Sequence, residues 1–138
     1  MRPLLVFLLR LATLYSALLG CSRAIFVKAE GRYDEAVYFR LYDPTRTTLI
    51  THNIVQVLVQ EQNAEHGWDI VWALEGERST AEVQYGRTYE GLKETVRAKP
   101  LSLNKTYRVH VTDRPRFDPI GYGDVAFTFQ ENGEIVMM

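Results

Sequence analysis

One cysteine, three histidines and a scatter of carboxylates are the residues of this 138-residue chain that could carry chemistry. Cys21 is its only thiol, so it can be a nucleophile or an acylation site but never half of an intrachain disulfide. His52, His66 and His110 lack the close spacings at which strand or helix ligands gather on a metal, and no second cysteine helps them. No metal and no cofactor are expected. His110 shares a strand face with Thr106, Arg108 and Thr112, which reads as solvated, and His66-Gly67 reads as part of a turn. No serine sits in a Gly-x-Ser-x-Gly elbow; Ser16, Ser22, Ser79 and Ser102 fall in a leader, a tether, a turn and a strand edge. Asp69, Glu75, Glu77 and Glu82 cluster around an expected hairpin, whose charged outer face explains them better than paired-carboxylate catalysis. Gly121-Tyr122-Gly123 is too short for a phosphate loop and reads as a turn. No catalytic residue emerges, and the chain is expected not to be an enzyme.

The surroundings of Cys21 say more. Met1 to Gly20 contain two arginines and no acid, and Leu11 to Leu19 form an apolar run broken only by Thr13, Tyr15 and Ser16. That run fits the apolar region of a secretory signal peptide, about 7–15 residues. Leu18-Leu19-Gly20-Cys21 resembles the lipobox of bacterial lipoprotein precursors. The resemblance implies a diacylglycerol on the Cys21 thiol, cleavage after Gly20, and Cys21 as the first residue of the mature chain. Arg10, between the apolar blocks Leu4 to Leu9 and Leu11 to Leu19, departs from the usual pattern. A retained membrane-spanning anchor competes with this reading. A central charge costs such an anchor roughly 2.5–3.5 kcal/mol, and spanning needs about 20 apolar residues, so the signal peptide is favoured. Ser22 resembles the residue that follows the cysteine in lipoproteins of the outer-membrane class. The expected place is therefore the bacterial envelope, lipid-anchored in the outer membrane and facing the periplasm.

Without residues 1–20 the chain keeps 118 residues, enough for one domain with a single core. With Arg2 and Arg10 gone, 14 of the 16 basic residues face 17 acids, a formal charge of −3. Neither a nucleic-acid footprint nor a polybasic membrane patch follows from that balance.

Past residue 20 the dominant period is two. Residues 21–35 read as the lipidated cysteine followed by a tether or an edge strand; as an extended tether of 15 residues they would reach about 50 Å. Residues 36–138 read as the folded domain. Val37, Phe39 and Leu41 alternate with Tyr38, Arg40 and Tyr42; Val55, Val57 and Val59 share a face; Trp68, Ile70, Trp72 and Leu74 share another. Glu75 to Ser79 reads as a turn into Thr80 to Tyr85, making a hairpin. Arg87 to Pro100 is least regular: Tyr89, Leu92 and Val96 have helical spacing for one turn, and a short edge strand over Thr95 to Ala98 competes. Thr106 to Thr112 and Val125 to Phe129 are strands, and Asn132-Gly133 is the signal for a type I′ hairpin into Glu134 to Met137. Seven to eight short strands without an amphipathic helix predict an all-β fold, a single antiparallel β-sandwich. A small barrel is the alternative.

Leu101, Tyr107, Val109 and Val111 resemble the approach to strand F of fibronectin type III and immunoglobulin-like domains. That resemblance implies a Tyr107 hydroxyl bonded back to the main chain upstream, and a core tryptophan, with Trp72 deeper than Trp68. The order of the tryptophan strand, Tyr85-Gly86, Gly91-Leu92, and Pro100-Leu101 with Tyr107 is also similar to that of small uncharacterised bacterial lipoproteins. It spans Trp68 to Val111 and carries no chemistry with it.

What remains is surface. Tyr38, Arg40 and Tyr42 form an outward stripe, and Asp113 to Gly123 form a long loop with Arg114, Arg116, Phe117, Ile120 and Tyr122 held between Pro115 and Pro119. Arginine and aromatic side chains dominate interface hot spots, which makes Arg116, Phe117 and Tyr122 the candidate partner-binding residues. The competing reading has Phe117 and Ile120 folded under the loop as a plug. The expected function is a periplasm-facing lipoprotein with a non-enzymatic protein-binding domain, an envelope accessory or an immunity-type protein. An envelope hydrolase or carbohydrate-binding protein, and a structural spacer, are the alternatives. Its expected partners are the bilayer, through Cys21, and a protein of the envelope; nucleic acid is not among them.

Overall fold

The computed structural model describes residues 23–138. The expected signal peptide, Cys21 and Ser22 lie outside the described residues. Within them the chain is all-β: β1 (Arg23–Ala24), β2 (Phe26–Gly31), β3 (Val37–Tyr42), β4 (His52–Gln62), β5 (Trp68–Thr80), β6 (Glu82–Gln84), β7 (Leu92–Val96), β8 (Tyr107–Asp113), β9 (Gly121–Phe129) and β10 (Ile135–Met137). The large sheet runs β1-β9-β8-β4-β5-β7, with β10 also paired to β9, and the small sheet runs β2-β3-β6. Every pairing is antiparallel except that of β1 with the start of β9, Arg23 opposite Gly121 and Ala24 opposite Tyr122. Ten strands exceed the expected seven to eight because β1, β6 and β10 are only two or three residues long.

The two sheets bury their facing sides against each other. Val27, Ala29, Val37, Phe39, Leu41 and Val83 come from the small sheet, and Trp72, Leu74, Tyr107, Val109, Val111 and Phe127 from the large one. Phe39 meets Phe127 across the gap, ring centroids 5.8 Å apart, and Tyr107 stacks on Phe127 at 5.6 Å. Period two in β3 appears as expected: Val37, Phe39 and Leu41 are buried, and the residues between them half-buried. Trp72 is the deeper tryptophan, fully buried, with its indole N–H donating to Glu94 Oε2 at 2.9 Å, while Trp68 is half-exposed. The Tyr107 hydroxyl accepts from the Ser102 amide at 2.7 Å, closing back on the main chain five residues upstream.

Where the alternation is broken, the expected face assignments shift. Pairing slips between Ile54 and Gln56, so Ile54, not Val55, joins Val57 and Val59 inside. A second slip opposite Val59 and Gln60 buries both Val71 and Trp72 and turns Ile70 outward, 42% exposed. A bulge of this kind reverses the faces of all residues beyond it.

The expected hairpin through Glu75 to Ser79 is not formed. β5 continues straight through these residues, paired with β4 as far as His52 opposite Thr80, and β6 crosses to pair with β3. Residues 75–79 are exposed apart from the half-buried Arg78, whose strand partner Ile54 is in the core. In the irregular section, the helical turn is replaced by the edge strand β7, placed at Leu92–Val96, where it pairs with β5. Gly121-Tyr122-Gly123 is the start of β9, not a turn. Its glycines leave room for the crossing chain: a Cβ on Gly123 would collide with the Ile25 carbonyl and the Val27 side chain. The β9–β10 hairpin forms, but its turn is closed by the Gly133 amide on the Gln130 carbonyl and only Gly133 takes a positive φ, so it is not the two-residue type I′ turn. Of the two readings of residues 21–35, the described part follows the edge strand: Phe26 to Gly31 pair with Tyr42 to Val37, burying Val27 and Ala29. Residues 23–31 are thus part of the described sheets along with residues 36–138.

Candidate functional site

Asp113, the last residue of β8, is the one buried charged side chain among the described residues, 1% exposed. It sits where β1 and β9 begin, β4 begins and β8 ends, and its carboxylate holds all four. Oδ1 accepts from the Gly121 amide at 2.7 Å. Oδ2 is paired with the Arg23 guanidinium and lies 2.7 Å from His52 Nδ1. Gly121 must be glycine for this, because a Cβ there would collide with the carboxylate. The Arg114 amide donates to the Asn53 carbonyl at 2.9 Å and the Arg23 amide to the Ile120 carbonyl at 3.2 Å, so both stems of the loop 114–120 are fixed to the frame.

A histidine oriented by a buried carboxylate is one half of a nucleophile-activating pair. The other half is missing: among the described residues, no serine, threonine or cysteine side chain is hydrogen-bonded to His52. The cluster is a clamp on four strand ends.

The loop carries its side chains outward. Phe117 is 91% exposed, which removes the plug reading, and Arg116 lies with its guanidinium carbon 5.7 Å from the Phe117 ring centroid. Tyr122 does not join them. It stands on β9, 55% exposed, and lines an open groove of about 490 Å³ together with Ile120, Arg114, Val55, Glu75 and Glu77 on the outer side of the large sheet. Arg116 and Phe117 are outside that lining. The structure thus divides the three candidate residues between a loop tip and a groove.

The other candidates scatter. Glu75 accepts from Gln56 and Glu77 from Asn53, both exposed at the rim of the groove; Asp69 faces Asn63; Glu82 leaves for the small sheet. His66 takes φ 63° in the β4–β5 turn, where Asn63 Oδ1 accepts from the Glu65 and Gly67 amides. His110 lies between Arg108 and Asp124 on the outer side of the large sheet; burial, with Arg108 beside it, lowers its pKa below the ordinary value. No group of three metal-binding side chains occurs among the described residues.

The Tyr38, Arg40, Tyr42 stripe is satisfied within its own sheet. Arg40 is held between Glu30 at 2.7 Å and Glu82 at 2.6 Å, with Tyr38 under its guanidinium, and the Tyr42 hydroxyl donates to Glu30 at 2.6 Å. Burial opposes the Glu30 charge, but the hydrogen bonds from Tyr42 and Arg40 outweigh it and lower the pKa. The bond to Glu30 and, after it, burial raise that of Tyr42. This stripe is cross-strand structure.

In comparisons with known proteins, no protein-family profile, no curated protein and no solved structure matches the chain. Sequence reasoning missed the Asp113 clamp. Its members, Arg23, His52, Asp113 and Gly121, share no local motif, and the only sequence signal is an aspartate where period two demands an apolar residue, after Tyr107, Val109 and Val111.

Proposed function

We propose that the chain is a lipoprotein of the bacterial envelope, fixed by acylated Cys21 in the outer membrane and facing the periplasm, whose domain captures a protein partner without catalysis. The lipobox resemblance of Leu18 to Cys21 supports the anchor. The reading of the domain as immunoglobulin-like draws on the Tyr107–Ser102 bond and the buried Trp72. Tyrosine corners of this kind sit beside strand F in such sandwiches. The observation that carries the binding reading is the groove: an exposed tyrosine, an isoleucine and an arginine converge on a rigid sheet next to a clamped loop, the residue types and placement of an interface centre. Of the three candidate residues, Tyr122 is then the centre of the partner site. Envelope assembly, or neutralising a toxin as immunity proteins do, are roles of this kind.

Two measurements test the proposal on the full-length chain. Labelled palmitate should enter the wild type and not Cys21→Ser; no label in the wild type would refute the anchor. Crosslinking in the native envelope should recover a partner with the wild type, and the double variant Ile120→Ala, Tyr122→Ala should lose it with a thermal midpoint within a few degrees. Undiminished capture by that variant would exclude the groove.

A further inference from the structure

Four of the nine exposed large apolar side chains among the described residues stand on two loops at one end of the sandwich. Among the described residues, Phe117, Ile120, Leu49 and Ile50 stand on the two loops that leave β8 and β3 at the Asp113 end, each 37–91% exposed. The 43–51 loop belongs to this end because His52, which follows it, reaches Asp113, and Leu49 bridges back to Tyr42, the partner of Phe26. Arg114 and Arg116 flank Phe117 in the sequence, and Arg46 stands on the second loop, with Asp43 and Asp118 as the acids of the two loops. The opposite end, where Tyr33 is the exposed aromatic, has no comparable tip.

The same end holds Arg23, the first described residue. It pairs parallel to Gly121 and donates its amide to the Ile120 carbonyl, beside the stem of the 114–120 loop. Cys21 is two residues from Arg23, a span of about 7 Å at full extension. A bilayer holding Cys21 therefore lies within one loop length of Phe117. An aromatic ring flanked by arginines is the composition that enters the boundary between headgroups and acyl chains, with guanidinium groups on lipid phosphates.

We propose that Phe117 enters the interface of the bilayer that holds Cys21, with Arg116 on its anionic headgroups. This rests on the membrane anchor and deepens it: the domain is not a ball on a string but is docked by one end. The β4–β5 turn, at the other end of β4 from His52, then points away from the membrane. Pro115 and Pro119 restrict the loop before contact, which reduces the entropy lost on docking.

The test uses the full chain reconstituted into phosphatidylethanolamine–phosphatidylglycerol vesicles carrying brominated acyl chains. Flotation reports the anchor; quenching of an added tryptophan, taken as the difference from wild type with its Trp68 and Trp72, reports docking. Phe117→Trp, at a side chain 91% exposed, leaves the core untouched. Its added emission should fall by at least half, and that of Tyr33→Trp at the far end by less than a tenth. A chain that floats with no quenching at 117 overturns the docking and leaves the anchor standing. Equal quenching at 117 and 33 overturns the orientation. A chain that does not float overturns both readings. Emission at 117 that ignores the lipid but responds to the captured protein would assign the tip to that protein and overturn the proposal.

Discussion

Asp113 and Arg23 stand 90 residues apart in the sequence and form one ion pair, buried on the aspartate side and one-third exposed on the arginine side. That pair fastens the first residues of the fold to the base of the 114–120 loop. It makes the first described residue and the most exposed of the large apolar side chains, Phe117, parts of one end.

Removing the hub should therefore cost more than an ordinary surface pair. Asp113→Ala leaves the Arg23 guanidinium, His52 and the Gly121 amide without their shared acceptor. Because Arg23 keeps some contact with water, the expected loss is near the low end for a broken buried pair, about 3 kcal/mol. Denaturant unfolding should show a lower midpoint with an unchanged slope. A shift worth less than about 0.5 kcal/mol, the scale of exposed pairs, would mean the clamp carries no load.

The glycines at the start of β9 should be equally intolerant. Gly123→Ala places a methyl group against the Ile25 carbonyl and the Val27 side chain, and overpacking of this kind costs about 1–3 kcal/mol. The thermal midpoint should drop, and proteases should reach Lys28 earlier than in the wild type. An unchanged midpoint would show that β1 and β2 can move aside.

The core should respond to its two largest fully buried side chains. Trp72→Ala should cost about 3–5 kcal/mol by opening a cavity, and Tyr107→Phe about 1–2 kcal/mol by stranding the Ser102 amide. Burial pushes the Tyr107 pKa up to about 12 from the ordinary tyrosine value of 10.0, so the unfolded chain loses this proton first. Its contribution to stability is intact below pH 10 and is lost as pH rises towards 12. The alkaline fall measured for Tyr107→Phe should be shallower than for the wild type; identical slopes would remove Tyr107 as its source.

On the acid side the sign reverses at Glu30. Its pKa is lowered, so the folded state holds the charged form and stability is present above the ordinary carboxylate value of 4.5. It is lost as pH falls below that value and the unfolded chain takes up the proton first. Glu30→Gln should be less stable than the wild type at neutral pH and show a flatter decline below pH 4.5, read by thermal unfolding across pH. Parallel curves would place the acid sensitivity elsewhere.

Local patterns determined a great deal by themselves. Alternation in Val37 to Tyr42 and Tyr107 to Thr112 fixes which side chains face inward, because a strand's side chains change face at every residue. Trp72 lies deeper than Trp68, and the Tyr107 hydroxyl turns back to the main chain, as the sequence alone led one to expect. The single cysteine is a fact of composition, and no tertiary contact is needed to read it. Other features depend on which strand lies beside which. The bulges that move Ile54 inward and Ile70 outward arise from pairing with a partner strand distant in sequence, and the polar stretch of β5 looks like a turn until its length is set by β4. The division of Tyr122 from Phe117, and the meeting of Arg23, His52, Asp113 and Gly121, were decided only by the crossing of strands at one end of the sandwich. Periodicity reports the environment of a residue along its own strand; a carboxylate shared by four strand ends exists only after all four have been brought together.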